Sequence, residues 1–338
     1  MAKQMMVYAI KDGKGAYIDD VEKGLKCRCV CPACGSRLIA KKGERRQPHF
    51  AHENSECANG LETSLHLMAK DIISNAKSFL VPAVRLPSQP PNWDDFSPAQ
   101  SIDIEKVEIE KHGDGMIPDL VLYPVSKSPS PKTLAIEIFV THKTGEEKIK
   151  QFKSQKQAAI EIDLSNIDRT ISYENLKQIL LSETSNKSWL NNEKEHEFHA
   201  KMLRCCDELS CSAFNDRIRI DHCPINKCNY NGYSYAFLDN HCHSCQWYIG
   251  KTATAIHLCL GTMKIANNKE LRQVKEQKII DFEKTKKEPK VPIPRTCPKC
   301  GGFLEKKRGK IYSEMWVCNQ YPLCTYTITE NYPFSSNR

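Results

Sequence analysis

The stretch LAIEIFVT, residues 134–141, decides the fold of the central part of the chain. It is apolar except for Glu137 and a final threonine, which is typical of a buried strand. Residues 117–123, IPDLVLY, predict a second strand of the same kind. The segment 125–133 between them is rich in Ser, Pro and Lys, so we expect a turn that joins the two strands as an antiparallel pair.

Helices and further strands are predicted on either side of this pair. Apolar residues recur at helical spacing over residues 61–80, and Pro82 ends that helix. The other expected elements are a strand at 101–110, a helix at 143–158, a strand at 159–164, helices over 172–205 with a break near 185–187, and a charged, exposed helix at 267–287. This alternation predicts an α/β protein of the mixed α+β kind.

Composition limits the class of protein. The chain has 338 residues, 40% of them hydrophobic, which suffices for two or three domains with normal cores. The formal net charge of +8 permits a polyanionic partner without requiring one. No stretch reaches the apolar length of a membrane span, and the start, MAKQMMVYAIKDG, lacks the apolar region of a secretory signal. We therefore expect a cytoplasmic protein with no membrane partner.

The 17 cysteines indicate metal binding. Thiols of cytosolic proteins stay reduced, so a disulfide framework is not expected. Many of the cysteines form Cys-x-x-Cys pairs that are followed by another pair of Cys or His, as the ligands of structural zinc are. Three such clusters predict up to three zinc ions.

The first cluster lies at residues 27–52. Cys31 and Cys34 form one knuckle and His49 and His52 a second pair, with a β-hairpin that turns at residues 42–43 between them. Two thiolates and two imidazoles complete a tetrahedral site. The neighbours that could replace one ligand are Cys27, Cys29 and Cys57. A redox-active or merely buried Cys-x-x-Cys pair is the alternative.

The second cluster has ribbon-like spacing. Its predicted ligands are Cys223, Cys228, Cys242 and Cys245, and the histidines that could each replace one of them are His222, His241 and His243. Aromatic residues between 230 and 237 predict a strand or hairpin. The remaining cysteines of this region are interpreted as buried thiols, since a free cysteine packs as a small apolar residue: Cys205, Cys206, Cys211 and Cys259.

The third cluster combines CPKCGG at residues 297–302 with CNQYPLCTY at residues 318–326. Its four cysteines have the spacing of two zinc knuckles joined by a hairpin: Cys297, Cys300, Cys318 and Cys324. The pattern resembles the C-terminal zinc ribbons of bacterial type IA topoisomerases. That resemblance implies a module that grips single-stranded DNA.

The hairpin of this third ribbon has residues suited to nucleic acid. Basic side chains can contact phosphates, and aromatic side chains offer faces on which bases stack. The basic set is Lys306, Lys307, Arg308 and Lys310, and the aromatic set is Tyr312, Trp316, Tyr321 and Tyr326. A structural or protein-docking ribbon is the alternative. Three prolines between residues 289 and 294 predict a stiff linker before it.

A separate group of residues predicts chemistry. Glu62, His66 and Lys70 follow one another at intervals of four, which places them in one polar stripe of the first helix. Asp119 begins one strand of the central pair, and Glu137 lies within the other, where a buried carboxylate needs a partner. An Asp and a Glu on adjacent strands can share one Mg²⁺ or Mn²⁺, because hard cations favour oxygen ligands.

The order of helix, strand with Asp119, strand with Glu137, helix and strand resembles the PD-(D/E)xK nuclease core. Residues 1–165 more specifically resemble the competence protein CoiA-like family. The motifs that carry this resemblance are HFAH at 49–52, the helix pattern of Glu62, Ser64, His66 and Lys70, PD at 118–119 and IEI at 136–138. It implies a nuclease that hydrolyses phosphodiester bonds.

The resemblance also assigns roles. Asp119, Glu137 and the carbonyl of Ile138 would hold the metal ion, Glu62 could add a ligand, and His66 would contact the phosphate or carry a proton. One position departs from the pattern, since Phe139 stands where the motif has its lysine. The residues that could replace that lysine are Lys70, Lys143, Lys148 and His142.

Non-catalytic interpretations compete with this one. The stripe on the first helix can be a solvated face, and a salt bridge from Lys70 can account for a buried Glu137. The leading prediction is a DNA endonuclease or DNA-processing protein in uptake, repair or defence; the alternatives are a non-catalytic nucleic-acid adaptor and a zinc scaffold that recruits proteins. The expected domains are a zinc ribbon at 1–57, a nuclease-like core at 58–185, a helical segment with the middle ribbon at 186–265, a charged helix and Pro-rich linker at 266–296, and the last ribbon at 297–338.

Overall fold

The computed structural model describes residues 5–54, 57, 59–110, 117–128, 132–214, 217–230, 233–252, 256–287, 296–297, 299–307 and 315–329. They form a mixed α/β protein, as the sequence predicted. The chain divides into two compact units, residues 1–85 with 96–196 and residues 86–95 with 197–338. None of the described helices is both long and apolar enough to cross a membrane.

Short strands surround the first cysteine cluster in the first unit. They are β1 (Tyr8–Lys11), β2 (Lys14–Tyr17), β3 (Cys29–Val30), β4 (Leu38–Lys41) and β5 (His49–His52), with 3₁₀ turns at Ile18–Asp20 and Leu25–Cys27. Strand β1 lies between β2 and β3, and β4 pairs with β5 in the predicted hairpin. Tyr8, Leu38 and Phe50 from these strands are buried in the main core of the unit.

A six-stranded sheet forms the centre of the first unit. Its elements are α1 (Gly60–Ser74), β6 (Ser78–Val81), β7 (Gln100–Ile109), β8 (Leu120–Pro124), β9 (Leu134–Phe139), α2 (Glu146–Ser154), β10 (Ala158–Asp163), α3 (Tyr173–Ser182) and β11 (Lys187–Asn191). The strand order is β11-β10-β9-β8-β7-β6. Strands β8 and β9 are antiparallel, as predicted, whereas β9 and β10 are parallel and are connected by α2.

Strand β9 is buried on both faces of this sheet. Ile136 and Ile138 belong to the core that contains residues of α1 and α3. Ala135 packs instead with Phe152 of α2. Because side chains alternate along a strand, Glu137 lies on the α2 side, where its charge must be compensated.

One predicted boundary was wrong, and one predicted break contains an additional strand. The helix expected over residues 61–80 ends at Ser74, because residues 78–81 pair with β7 as a strand. The segment 172–205 is interrupted as predicted, but the interruption contains strand β11, which pairs along β10. In both places a partner distant in sequence determines the local structure.

The rest of the chain, most of it in the second unit, forms smaller sheets and helices. The elements are α4 (Glu193–Arg204), β12 (Asp207–Leu209), β13 (Cys211–Phe214), β14 (Arg217–Asp221), β15 (Cys228–Tyr230), β16 (Tyr233–Phe237), a π-helical turn (Leu238–Cys242), β17 (Tyr248–Lys251), β18 (His257–Cys259), α5 (Asn268–Gln273), α6 (Glu276–Lys287), β19 (Leu304–Lys307), β20 (Met315–Cys318) and β21 (Thr327–Thr329). The sheet orders are β12-β18-β17, β13-β14-β16-β15 and β19-β20-β21. The hairpin predicted near residues 230–237 is confirmed as β15 and β16.

The charged helix expected at residues 267–287 was wrong in two respects. It is two helices, α5 and α6, because Val274 adopts an extended conformation with ψ of 121°. It is also not fully exposed, since Leu271 and Ile279 are completely buried.

The C-terminal ribbon packs on the sheet β13-β14-β16-β15. Phe303 stacks on Tyr230 with ring centroids 5.0 Å apart, and the Tyr230 hydroxyl donates a hydrogen bond to Glu305 at 2.6 Å. The guanidinium of Arg219, a fully buried residue, lies 4.7 Å from the centre of the Phe303 ring. These contacts anchor the base of the ribbon within the second unit.

Candidate functional site

An open cleft of about 470 Å³ lies where α1 meets the start of β8 and the end of β9. Its lining consists of Asn59, Glu62, Thr63, His66, Asp119, Ile138, Val140 and His142. Five of these residues, Glu62, His66, Asp119, Ile138 and His142, are predicted site residues. The helical spacing of α1 and the strand register of β8 and β9 thus bring predicted groups from distant segments into one space.

Asp119 is held in place from three directions. Its Oδ1 lies 2.8 Å from Lys70 Nζ, and its Oδ2 lies 3.1 Å from His66 Nε2. The backbone N–H of Ile138 also donates to Oδ2 at 2.8 Å. Burial alone would raise the pKa of Asp119, but the hydrogen bonds and charges of His66 and Lys70 hold it well below its usual range. Asp119 is therefore ionised.

Lys70 is buried at 4% exposure and compensated by two carboxylates. Besides Asp119, its Nζ contacts Glu110 Oε1 at 2.9 Å. Burial would lower the pKa of Lys70, yet its hydrogen bonds to Asp119 and Glu110 raise it above the ordinary value. The same contact with Lys70 lowers the pKa of Glu110. Lys70 is therefore a charged clamp and not a neutral base.

Glu137 is paired with Lys148 from α2. The Lys148 Nζ lies 2.7 Å from Glu137 Oε1 and donates a hydrogen bond to Oε2 at 2.8 Å. Oε1 is buried and, in the described part of the chain, accepts no well-aligned hydrogen bond. Burial raises the pKa of Glu137 to about 7 despite Lys148, and the negative charge of Asp119 adds to the increase.

Lys148 is the lysine that the structure brings to Glu137. It also donates to the carbonyl of Ile117 at 2.8 Å, so it bridges the ends of both central strands. Of the other candidates, Lys143 lies 5.7 Å above the Phe139 ring, and His142 lines the cleft. A side chain on α2 therefore supplies the charge that the family motif places on the strand.

The sequence did not identify Glu110 and Thr141 as site residues. Glu110 follows β7 and reaches Lys70, and the Thr141 hydroxyl donates a hydrogen bond to Glu62. No motif marks either residue, because the contacts depend on how β7 and β9 end beside α1. A lone Glu after a strand carries no sequence signal of this kind.

The acids in and beside the cleft are oxygen donors of the kind that a hard divalent cation binds, but among the described residues they do not gather three ligand atoms within 4.8 Å as the first and third cysteine clusters do. Asp119 is ionised, Glu137 has a buried oxygen without a well-aligned hydrogen bond, and Glu62 lines the same cleft. Oxygen ligands of this kind are those that Mg²⁺ and Mn²⁺ take in proteins. Lys70 and Lys148 neutralise these acids in the absence of a cation.

The first cysteine cluster forms a potential zinc centre with one change of ligand. Cys31, Cys34, His52 and Cys57 place their ligand atoms within 4.8 Å of one another. His49 is not among them, because residues 49 and 52 of strand β5 point to opposite faces. Hydrogen bonds from the Ser36 side chain and backbone lower the pKa of Cys34 to about 6, which favours the thiolate that zinc binds.

The third cluster forms a potential zinc centre as predicted. The four thiols of Cys297, Cys300, Cys318 and Cys324 lie within 4.8 Å of one another. The backbone N–H of Tyr326 lowers the pKa of Cys324 to about 7. Four thiols at two knuckles fit zinc in its structural role.

The second cluster does not assemble the predicted set. Cys228 Sγ lies 3.8 Å from His241 Nε2, while Cys223 and Cys242 are buried in another core cluster. Among the described residues, no third group comparable to the other two gathers within 4.8 Å. Cys205, Cys206 and Cys259 are buried as predicted, whereas Cys211 is exposed.

The C-terminal ribbon presents part of its predicted nucleic-acid surface. Tyr321 is 62% exposed, whereas Trp316 and Tyr326 pack against the cysteine core of the ribbon. Lys307 is exposed and lies 3.7 Å from Glu305. Arg308, Lys310, Tyr312 and the side chain of Lys306 lie outside the described residues.

One comparison with known proteins identifies part of the chain. Residues 18–60 match the family model of the competence protein CoiA, N-terminal domain. The matched segment contains all four ligands of the first zinc centre and ends at the first residue of α1. No curated protein and no solved structure matches the chain.

Proposed function

We propose, on the premise that this chain is CoiA-like and carries the N-terminal domain of that family, that it is a metal-dependent DNA endonuclease or DNA-processing hydrolase. Membership in a competence family suggests a role in processing DNA during uptake. The single observation that supports a nuclease best is the open cleft that gathers the ionised Asp119 with Glu62 and His66 beside strand β9, which carries the buried Glu137. Such an arrangement favours a bound cation.

Asp119 and Glu137 would hold Mg²⁺ or Mn²⁺, with Glu62 and the Ile138 carbonyl as further oxygen ligands. When bound, the cation would lower the pKa of a water molecule and neutralise charge on the phosphate. When His66 is neutral, its ring proton is on Nε2, which donates to Asp119. Nδ1 is then the unprotonated nitrogen, and it would carry a proton at the cleft. Lys148 orients Glu137 and supplies positive charge near the reacting phosphate.

The zinc ribbons would hold the DNA. The exposed ring of Tyr321 can stack on a base of single-stranded DNA, and the exposed Lys307 of the same ribbon can contact a phosphate. Partner proteins and a cytoplasmic location are part of the same proposal.

A non-catalytic adaptor is the second candidate, and one observation favours it. The two strand acids of the site already have lysine partners, with Lys70 at 2.8 Å from Asp119 and Lys148 at 2.7 Å from Glu137. Phe139 moreover replaces the lysine of the family motif. A site neutralised in this way could bind DNA without cutting it.

Cleavage assays separate the two candidates. Zinc-loaded protein is incubated with single- and double-stranded DNA in Mg²⁺, in Mn²⁺ and without either ion. A nuclease cuts only with the added ion, and Asp119→Asn and Glu137→Gln abolish the cutting. Glu161→Gln is the matched control, because Glu161 is a buried glutamate opposite Glu137 on β10 that contacts the Thr144 N–H.

The outcomes are distinct. Salt-sensitive DNA binding without cutting by the wild-type protein would overturn the nuclease and support the adaptor. The absence of binding to either form of DNA would overturn both. Equal loss of cutting in Glu161→Gln would show that the variants act through stability.

A further inference from the structure

The second cysteine cluster contains a histidine, His241, whose ring is unsuited to bind zinc beside Cys228. The backbone N–H of Phe237 donates to His241 Nδ1 at 2.9 Å, so the ring proton of neutral His241 is on Nε2. Nε2 is the nitrogen that faces Cys228 Sγ at 3.8 Å. A nitrogen that carries a proton cannot bind a metal, so the Nε2–H of His241 faces Cys228 Sγ instead of a metal ion.

Another cysteine, Cys259, packs with two of the remaining thiols. Cys259, at the end of β18, shares one buried core cluster with Cys223 and Cys242. A methyl group added at Gly261 would lie 3.2 Å from Cys259 Sγ and 3.1 Å from the Cβ of Pro224. The sulfur of Cys259 thus lies beside the turn that begins at Cys223.

The strands β17 and β18 bring the Cys242–Cys245 turn close to Cys259. Tyr248 pairs with Cys259, and the N–H of Leu260 donates to the carbonyl of Trp247 at 2.8 Å. The Cys242–Cys245 turn directly precedes this strand and is closed by the Cys245 N–H on the Cys242 carbonyl at 2.9 Å. Cys245 lies three residues before Tyr248, and its charge is among those that act on the Cys259 thiol.

Burial raises the pKa of Cys259 to about 12, and one backbone contact opposes this increase. The N–H of Gly261 donates to Cys259 Sγ at 3.3 Å. The zinc centre of the C-terminal ribbon has the same relation, in which the N–H two residues later donates to the sulfur, at Cys318 and Cys324. A backbone N–H aimed at sulfur stabilises its negative charge, as a ligand thiolate requires.

We propose that the second unit binds a third structural zinc ion through Cys223, Cys242, Cys245 and Cys259, with Cys228 outside the site. The soft thiolate set suits Zn²⁺ in tetrahedral geometry. These sulfurs are less closely gathered than those of the other two centres, and binding would draw them to about 2.3 Å from the ion. The site would join the turn after β14, the π-helical turn with the residues that follow it, and the β17–β18 hairpin.

Zinc content of the full chain tests this set. The wild-type protein is purified with zinc and passed over a desalting column. We expect it to hold three zinc ions, one more than the first and third cysteine clusters bind. Cys259→Ser should lose one equivalent, and the matched Cys228→Ser should lose none. Retention of the full content by Cys259→Ser, or loss of one equivalent in Cys228→Ser, would overturn the proposal.

A measurement on the unmutated protein guards against misfolded variants. In ¹¹³Cd-substituted wild-type protein, proton–cadmium correlation spectra should connect one cadmium resonance with the β-protons of Cys223, Cys242, Cys245 and Cys259. A correlation from Cys228 in place of Cys259, or only two cadmium resonances, would refute the assignment. Neither result depends on nuclease activity, so the site and the proposed function can fail independently.

Discussion

Replacement of Glu137 by glutamine should change how stability depends on pH. Burial raises the pKa of Glu137 from 4.5 to about 7 in the protein without Mg²⁺ or Mn²⁺. One unit of pKa corresponds to about 1.4 kcal/mol, so ionising Glu137 in the folded state costs about 3 kcal/mol. The sign follows from linkage: a carboxyl with a raised pKa stabilises the fold at pH values below 4.5, and this contribution is lost as pH rises to about 7.

The difference in unfolding free energy between wild type and Glu137→Gln isolates this contribution. Urea unfolding is followed at a series of pH values in Mg²⁺-free buffer, and hydrogen exchange of the β9 peptide reports on the sheet that contains Glu137. Across the window the wild type should lose about 3 kcal/mol relative to the variant. Any release of zinc at low pH affects both proteins and cancels in the difference.

Two controls test whether the pH dependence comes from the carboxyl group of Glu137. Glu161→Gln removes a buried glutamate from the neighbouring strand without touching Lys148. Saturating Mg²⁺ should abolish most of the pH-dependent difference at Glu137, because a bound cation favours the ionised carboxylate. A difference that stays constant with pH, or that changes in the opposite direction, would refute the reasoning about Glu137.

Three further predictions concern other residues. Lys70→Met should lower the free energy of unfolding in urea by about 2–3 kcal/mol. The loss is smaller than for a fully buried ion pair because Asp119 keeps two other hydrogen-bond donors. An unchanged midpoint would contradict the role of Lys70 in holding Asp119. Cys57→Ser should lose zinc from the first centre in a metal-release assay, whereas His49→Ala should retain it. Zinc loss in His49→Ala and retention in Cys57→Ser would instead support His49 as the ligand, as predicted from the sequence. Tyr321→Ala should weaken binding of a single-stranded oligonucleotide in fluorescence anisotropy by about 1–3 kcal/mol, and equal affinity would remove Tyr321 as a stacking residue.

The central strands could be predicted from sequence because buried strands consist of apolar runs that are visible in the sequence. An apolar run interrupted by one carboxylate, as around Glu137, is characteristic of a strand inside a sheet. The end of α1 could not be predicted in the same way, because Phe79 continues the apolar spacing of the helix. Pairing with β7 determines that residues 78–81 are a strand, and such pairing has no local signal.

The ligands of the first zinc centre illustrate the limit of spacing arguments. HFAH places two histidines at a familiar separation, but in a strand that separation directs them to opposite faces. Applying strand geometry to the predicted hairpin would have excluded one histidine. Cys57 could be identified as the fourth ligand only from the path of the chain after β5. The spacing of residues in the sequence gives no information about that path.

The relation of the C-terminal ribbon to its surroundings was also beyond the sequence. A Pro-rich segment before it predicted a stiff tether, yet Phe303 packs on Tyr230 and on the guanidinium of Arg219 in the second unit. Neither aromatic residue belongs to a motif. The packing leaves Tyr321 exposed, so the proposed DNA contact of Tyr321 remains accessible while the ribbon is anchored.

The account depends most on whether Asp119 and Glu137 hold a divalent cation together. Mn²⁺ binding to the zinc-loaded protein, measured by electron paramagnetic resonance of the free ion, tests this directly. We predict saturable binding that Asp119→Asn and Glu137→Gln each abolish and that Glu161→Gln preserves. Binding that survives both substitutions, or no binding by the wild-type protein with or without DNA, would contradict the proposed metal site.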